Sequence, residues 1–206
     1  MNILIILAHP DPISFNHAIA RTAAETAKKN GHTVILHDLY AEKFDPILPG
    51  EELPRLVDLP PWVAQHCEEL VDAAGLIFVH PNWWGMPPAI LKGWLDRVVR
   101  PDVAYRFLEG DGGEGVPQGL LKARSALVFN TSNTSLKREL AVFGDPLEIL
   151  WKNCVLNFCG ITAIQRRMFS IVITSTPGQR ALWLEEVSRL VNQTYPPEKS
   201  RGQHDH

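Results

Sequence analysis

Five short runs of apolar residues alternate along this chain with stretches of helical spacing, and few folds accept that pattern. The runs lie at residues 2–8, 33–36, 75–79, 126–129 and within 163–173. A strand that is apolar at nearly every position must be covered on both faces, and strands separated by helices pair in parallel across a crossover. The intervening stretches supply those helices. Ala20, Ala23, Ala24 and Ala27 recur on or near one face, and Gly31 closes that stretch. Over 61–74, Pro61 suits a first turn and Val63, Cys67, Leu70 and Val71 fall on one side. Helices are also expected over 88–99, 147–158 and 176–192. The pattern predicts an α/β fold: a doubly wound five-stranded parallel sheet, order 2-1-3-4-5, forming one domain over residues 1–195. Residues 41–60, 103–119 and 196–206 read as irregular. The run from Gly110 to Gly115 is too glycine-rich for a core element, and disorder is expected of the tail.

Composition narrows the partners. The chain has 206 residues, and its formal net charge of −3 is spread along it, with no concentrated basic face for nucleic acid or an anionic membrane. The apolar run 3–7 is too short for a signal peptide core or a membrane helix, so a cytoplasmic protein that is not integral to a membrane is expected. Three cysteines, an odd number, argue for reduced thiols rather than a disulfide framework. His9, His32, His37, His66 and His80 lie on different elements without ligand spacing, and no metal is expected. No Ser-His-Asp or paired-carboxylate arrangement stands out.

In an open parallel sheet, ligands bind beyond the carboxyl ends of the strands, where the strand order reverses. Three loops sit there. The first ends in Ser14-Phe15-Asn16 at the start of a helix, where a hydroxyl, an amide and free N–H groups suit a phosphate. Simple N-capping by Ser14 or Asn16 accounts for the same residues. The second reads Pro81-Asn82-Trp83-Trp84-Gly85. Two adjacent tryptophans in such a turn cannot share one core, so at least one should offer an aromatic face to a planar heterocycle. A packing or dimer-interface role is the alternative. The third, Asn130-Thr131-Ser132-Asn133-Thr134-Ser135, offers hydrogen bonds to a ligand's polar edge but no nucleophile–base pair; a polar loop with a helix cap would read the same way.

With these loops in view, the chain resembles the flavodoxin-like NAD(P)H dehydrogenase (quinone) family. The matching segments are Ala8-His9-Pro10 with Ser14-Phe15-Asn16, Asp38-Leu39-Tyr40, Phe44-Asp45-Pro46 and Pro81-Asn82-Trp83-Trp84-Gly85-Met86-Pro87. They continue through Ala89-Ile90-Leu91-Lys92-Gly93-Trp94, Ala104-Tyr105, Gly144-Asp145-Pro146 with Leu150-Trp151, and Asn157-Phe158-Cys159-Gly160. The Trp-Gly-x-Pro and Leu-Lys-Gly-Trp stretch is the most specific.

The resemblance implies a flavodoxin-like fold, a flavin (FAD or FMN), NAD(P)H as hydride donor and a quinone-like acceptor. It implies His9, Ser14, Phe15 and Asn16 around the phosphate-bearing chain. Pro81, Asn82, Trp83, Trp84 and Gly85, with Thr131, Ser132 and Asn133, would flank the ring. It also implies a homodimer with its sites at the interface, and Tyr105 and Phe143 near the substrate. Some members instead serve as regulatory flavoprotein subunits of membrane potassium efflux systems, an alternative role. One departure stands out. Mammalian members carry a tyrosine and a histidine near the reduced flavin, where this chain has Lys137 and Phe143. Backbone N–H groups around residues 132–134, or Lys137, are then expected to meet the charge on the reduced ring.

Overall fold

The structure, a computed structural model, describes residues 1–110, 115 and 117–197. The tail 198–206 and most of the glycine-rich run lie outside these residues. Helices and strands alternate as β1 (Asn2–Leu7), α1 (Phe15–Lys29), β2 (Thr33–Asp38), α2 (Pro61–Asp72), β3 (Gly75–Pro81) and α3 (Ala89–Val98). A small hairpin follows, β4 (Tyr105–Arg106) with β5 (Gln118–Gly119), inside a segment expected to be irregular. Then come β6 (Ser125–Ser132), α4 (Leu136–Arg138), α5 (Pro146–Ile149), β7 (Ala163–Ser170) and α6 (Pro177–Thr194).

The five long strands form one parallel sheet in the order β2-β1-β3-β6-β7, the predicted doubly wound order. Alternation along the strands divides the core. Ile3, Ile5, Leu7, Ile77, Val79, Leu127 and Phe129 face a layer built from the small face of α1 and from Trp183, Val187 and Leu190 of α6. Leu4, Ile6, Leu76, Phe78, Ala126 and Val128 face the other layer, with Val63 of α2, Leu91 and Trp94 of α3, and Trp151. The alanines of α1 let that helix lie close to the sheet.

One helix departs from its expected form. Residues 147–158 read as a single helix, but α5 passes into a π-helical stretch, Leu150–Leu156. The three side chains it buries, Leu147, Trp151 and Leu156, are four and then five residues apart, so the wider turn keeps them on one face. A second π-helical turn, Glu139–Phe143, continues α4. The three cysteines are unpaired. No helix among the described residues is long and apolar enough to cross a membrane.

Candidate active site

The register carries three loops to one rim. Leu7 of β1 pairs with Val79 of β3, and Pro81 of β3 lies beside Thr131 of β6. The segments that leave these ends enclose a cavity of about 650 Å³, within the range of small-molecule sites. Its wall holds His9, Ser14, Phe15, Asn16, Pro81, Asn82, Trp83, Trp84, Gly85, Thr131, Ser132 and Asn133, every residue expected around a cofactor, together with Phe143.

Each loop is shaped by its own hydrogen bonds. The Asp11 N–H donates to His9 Nδ1 at 3.1 Å, which leaves the ring proton on Nε2, and Asp11 Oδ1 accepts from the Ile13 N–H. Burial, opposed by that contact, holds the His9 pKa below its ordinary value, so the ring is a neutral donor. Ser14 caps α1 by accepting from the His17 N–H, and His17 in turn sits 2.9 Å from Asp38. The capping role and an open first turn therefore coexist: the N–H groups of residues 15 and 16 begin the helix without an intrahelical acceptor.

The second loop is a tight turn. Trp83 and Met86 exchange two backbone hydrogen bonds of 3.0 Å, and the residues between them, Trp84 and Gly85, have φ of 57° and 75°. Paired positive φ angles define the reversed turn of β-hairpins, whose usual occupants are Asn-Gly. Asn82 Oδ1 accepts the Gly85 N–H. A Cβ on Gly85 would stand 2.7 Å from Pro146 Cγ, so the residue must be small as well as left-handed. Trp83 is half-exposed and Trp84 fully so.

The loops are tied to one another. The Asn16 side-chain amide donates to Thr131 Oγ1 at 2.9 Å, and the Asn82 N–H donates to the Thr131 carbonyl. Ser132 Oγ accepts from the Thr134 N–H, and Asn133 Oδ1 accepts from the Ile173 N–H. Those groups hold the loop in shape rather than waiting for a ligand. One atom does wait: Asn16 Oδ1 is buried in the wall without a hydrogen-bond partner among the described residues. An unmet acceptor in a cavity with indole rings and a helix N-terminus fits a ligand with a flat ring, hydroxyls and a phosphate.

Two residues of interest lie outside this wall. Tyr105 is not in this wall; it packs against Phe107 and Phe158 beside the hairpin. Of the two candidates for meeting charge on the reduced ring, Lys137 is also absent from the wall, whereas residues 132–134 line it. Glu139 is there instead, only 3% exposed, accepting from Asn82 Nδ2 at 3.1 Å and facing Ser132 Oγ at 3.4 Å. Its place in a Lys-Arg-Glu run reads as a solvated helix turn, and the π-helical turn is what buries it.

The fold also unites two histidines that the chain separates. His37, Glu42 and His66 bring ligand-type atoms within 4.8 Å of one another. Hydrogen bonds already occupy them. The His66 Nδ1 accepts from the Trp94 indole at 3.1 Å, so the neutral ring carries its proton on Nε2. Both His37 nitrogens face carboxylates, Glu42 and Glu69. Burial opposes protonation of His37, but these two contacts outweigh it and raise its pKa. Both rings are thus engaged in hydrogen bonds within the protein.

Comparison with known proteins places the chain among relatives of the same build. Residues 1–187 match the family described as having a flavodoxin-like fold. An uncharacterized NAD(P)H oxidoreductase of Haemophilus influenzae is 37% identical over 174 residues, 82% of this chain and 83% of that protein. NAD(P)H dehydrogenase [quinone] 1 of Cavia porcellus is 28% identical, over 93% of this chain and 78% of its own. Among solved structures, an NAD(P)H:quinone oxidoreductase from Methanothermobacter marburgensis superposes with a TM-score of 0.80 at 25% identity, covering 94% of this chain and 96% of its own.

Proposed function

Because the chain belongs to the flavodoxin-like NAD(P)H dehydrogenase (quinone) family, we propose that it is a flavin-dependent NAD(P)H oxidoreductase that reduces quinones or similarly flat acceptors by two-electron hydride transfer. The observation that carries this reading is the cavity itself, in which all twelve residues expected around a flavin meet at the strand ends.

A bound flavin supplies the redox chemistry, and the chain supplies grip, orientation and electrostatics. Ser14, Phe15 and Asn16 would hold the phosphate and hydroxyls at the start of α1, with Asn16 Oδ1 accepting from a hydroxyl. The indoles of Trp83 and Trp84 offer aromatic faces to the ring system. Asn82 and residues 131–133 would shape the wall along its edge, and Phe143 stands on the wall for a flat substrate. FMN and FAD share the groups these residues would meet.

A homodimer completes the reading. Trp84, Met86, Leu140, Val142 and Phe143 are exposed, more apolar surface around a site than a monomer needs. A second copy would cover it and bring its Tyr105 cluster toward the substrate. Steady-state oxidation of NADH or NADPH against varied menadione tests the function. Parallel double-reciprocal lines are expected, because donor and acceptor use the same face in turn. Failure of the flavin-loaded protein to oxidise either nucleotide would refute it.

A further inference from the structure

A carboxylate in the wall of a redox site has a consequence for protons. Glu139 opens the π-helical turn Glu139–Phe143, and its backbone carbonyl accepts from the Asp145 N–H at 3.0 Å, which fixes the turn against α5. Its side chain meets only an amide and a hydroxyl, Asn82 Nδ2 and Ser132 Oγ, and no ion-pair partner reaches it among the described residues. Two neighbouring arginines are engaged elsewhere, and Lys137 is not in the wall. Arg166 of β7 is held by Asp145, Glu148 and Asn130. Arg138 lies over the Phe143 ring, 5.7 Å from its centroid. Across the cavity stand Asp11 and the neutral His9, and no lysine or arginine lines the wall among the described residues.

We propose that Glu139 takes up the proton that accompanies reduction of the flavin in this cavity. The inference rests on the function proposed above. Hydride transfer from a nicotinamide to a flavin bound here would bring two electrons and one proton and would leave the ring one unit more negative. Among the described residues no lysine or arginine lines the wall to meet that charge. Two negative groups beside each other in a desolvated wall disfavour joint ionisation. A single proton from water, bound at the Glu139 carboxylate, restores the balance. Oxidised donor, reduced ring and protonated Glu139 then account for every electron and proton. The same residue would release the proton when the acceptor is reduced.

The FMN-loaded protein and its Glu139→Gln variant separate this from a structural role, because glutamine keeps the size and the oxygen facing Asn82. Midpoint potential is measured against pH. The wild-type slope should exceed that of the variant by one proton per two electrons, a tenfold change in the reduction equilibrium per pH unit, or about 30 mV. An infrared difference spectrum of the wild type on reduction should gain the carbonyl band of a protonated carboxyl, absent from the variant. Equal slopes, or a wild-type spectrum without that band, overturn the inference, and the wild-type spectrum decides alone if the variant does not fold. Failure to take up any flavin is a different result: it removes the proposed function itself.

Discussion

Trp84 holds a backbone conformation that bulky side chains avoid, with φ of 57°, and its side chain is fully exposed. Strain of this kind costs about 1–3 kcal/mol and persists where the surroundings impose it, commonly at binding sites. Here the two hydrogen bonds between Trp83 and Met86 impose it, and the result is an indole standing free at the cavity mouth. Trp84→Ala should weaken flavin binding about tenfold, the worth of one aromatic contact, while leaving unfolding free energy within about 0.5 kcal/mol of wild type. Fluorescence titration with FMN checks the first and urea unfolding the second; unchanged affinity would remove Trp84 from the site. The tryptophan pair was legible because two indoles beside a glycine fit no buried element. Glu139 was not, because no sequence period reveals a π-helical turn that begins four residues after the Ser135 cap.

At the scale of elements, the segment 41–60 looked like free loop, yet α3 holds it down. The guanidinium of Arg97 makes a two-pronged pair with Glu52, both side chains at most 4% exposed, and also donates to the Asp45 carbonyl at 2.8 Å. Arg100 reaches the carbonyls of Glu52 and Pro54. Gly93 makes room: a Cβ there would stand 2.2 Å from the Pro46 carbonyl oxygen. Periodicity shows which residues of a helix are apolar; it does not show that a charged one will turn inward to meet a loop. Glu52→Ala strands a buried guanidinium and should cost about 3 kcal/mol, the low end for such a break because Asp45 stands 3.5 Å away. Urea unfolding measures it, and a loss under about 1 kcal/mol would mean the loop holds itself. The split of 147–158 did leave a trace, since Trp151 and Leu156 are five residues apart and no α-helical face repeats at five.

For the whole molecule, the sheet order followed from the alternation of apolar runs with helices, and the cavity from the rule about strand ends. What the sequence withheld was how the layers are locked. His80, fully buried at the end of β3, donates from Nδ1 to the Pro81 carbonyl and accepts at Nε2 from the Trp151 indole. Burial, with the nearby Arg166 charge, lowers its pKa to about 4. The folded value lies below the unfolded one, so the unfolded chain takes the proton first. Stability is then untouched above about pH 6.5, falls as pH drops from there to about 4, and loses about 3 kcal/mol through this residue. His66, lowered to about 4 by burial and by His37, acts in the same direction. The drop in unfolding free energy between pH 7 and pH 4.5 should be smaller in His80→Gln than in wild type; equal drops would place the acid sensitivity elsewhere.

The central claim is that turns from separate strands form one flavin site. Titrating the purified chain with FMN and with FAD, following absorbance and quenching of flavin fluorescence, tests it most directly. Saturable uptake of one flavin per chain, with tryptophan emission quenched as the site fills, is the predicted result. A chain that leaves both flavins free in solution at every concentration would contradict it.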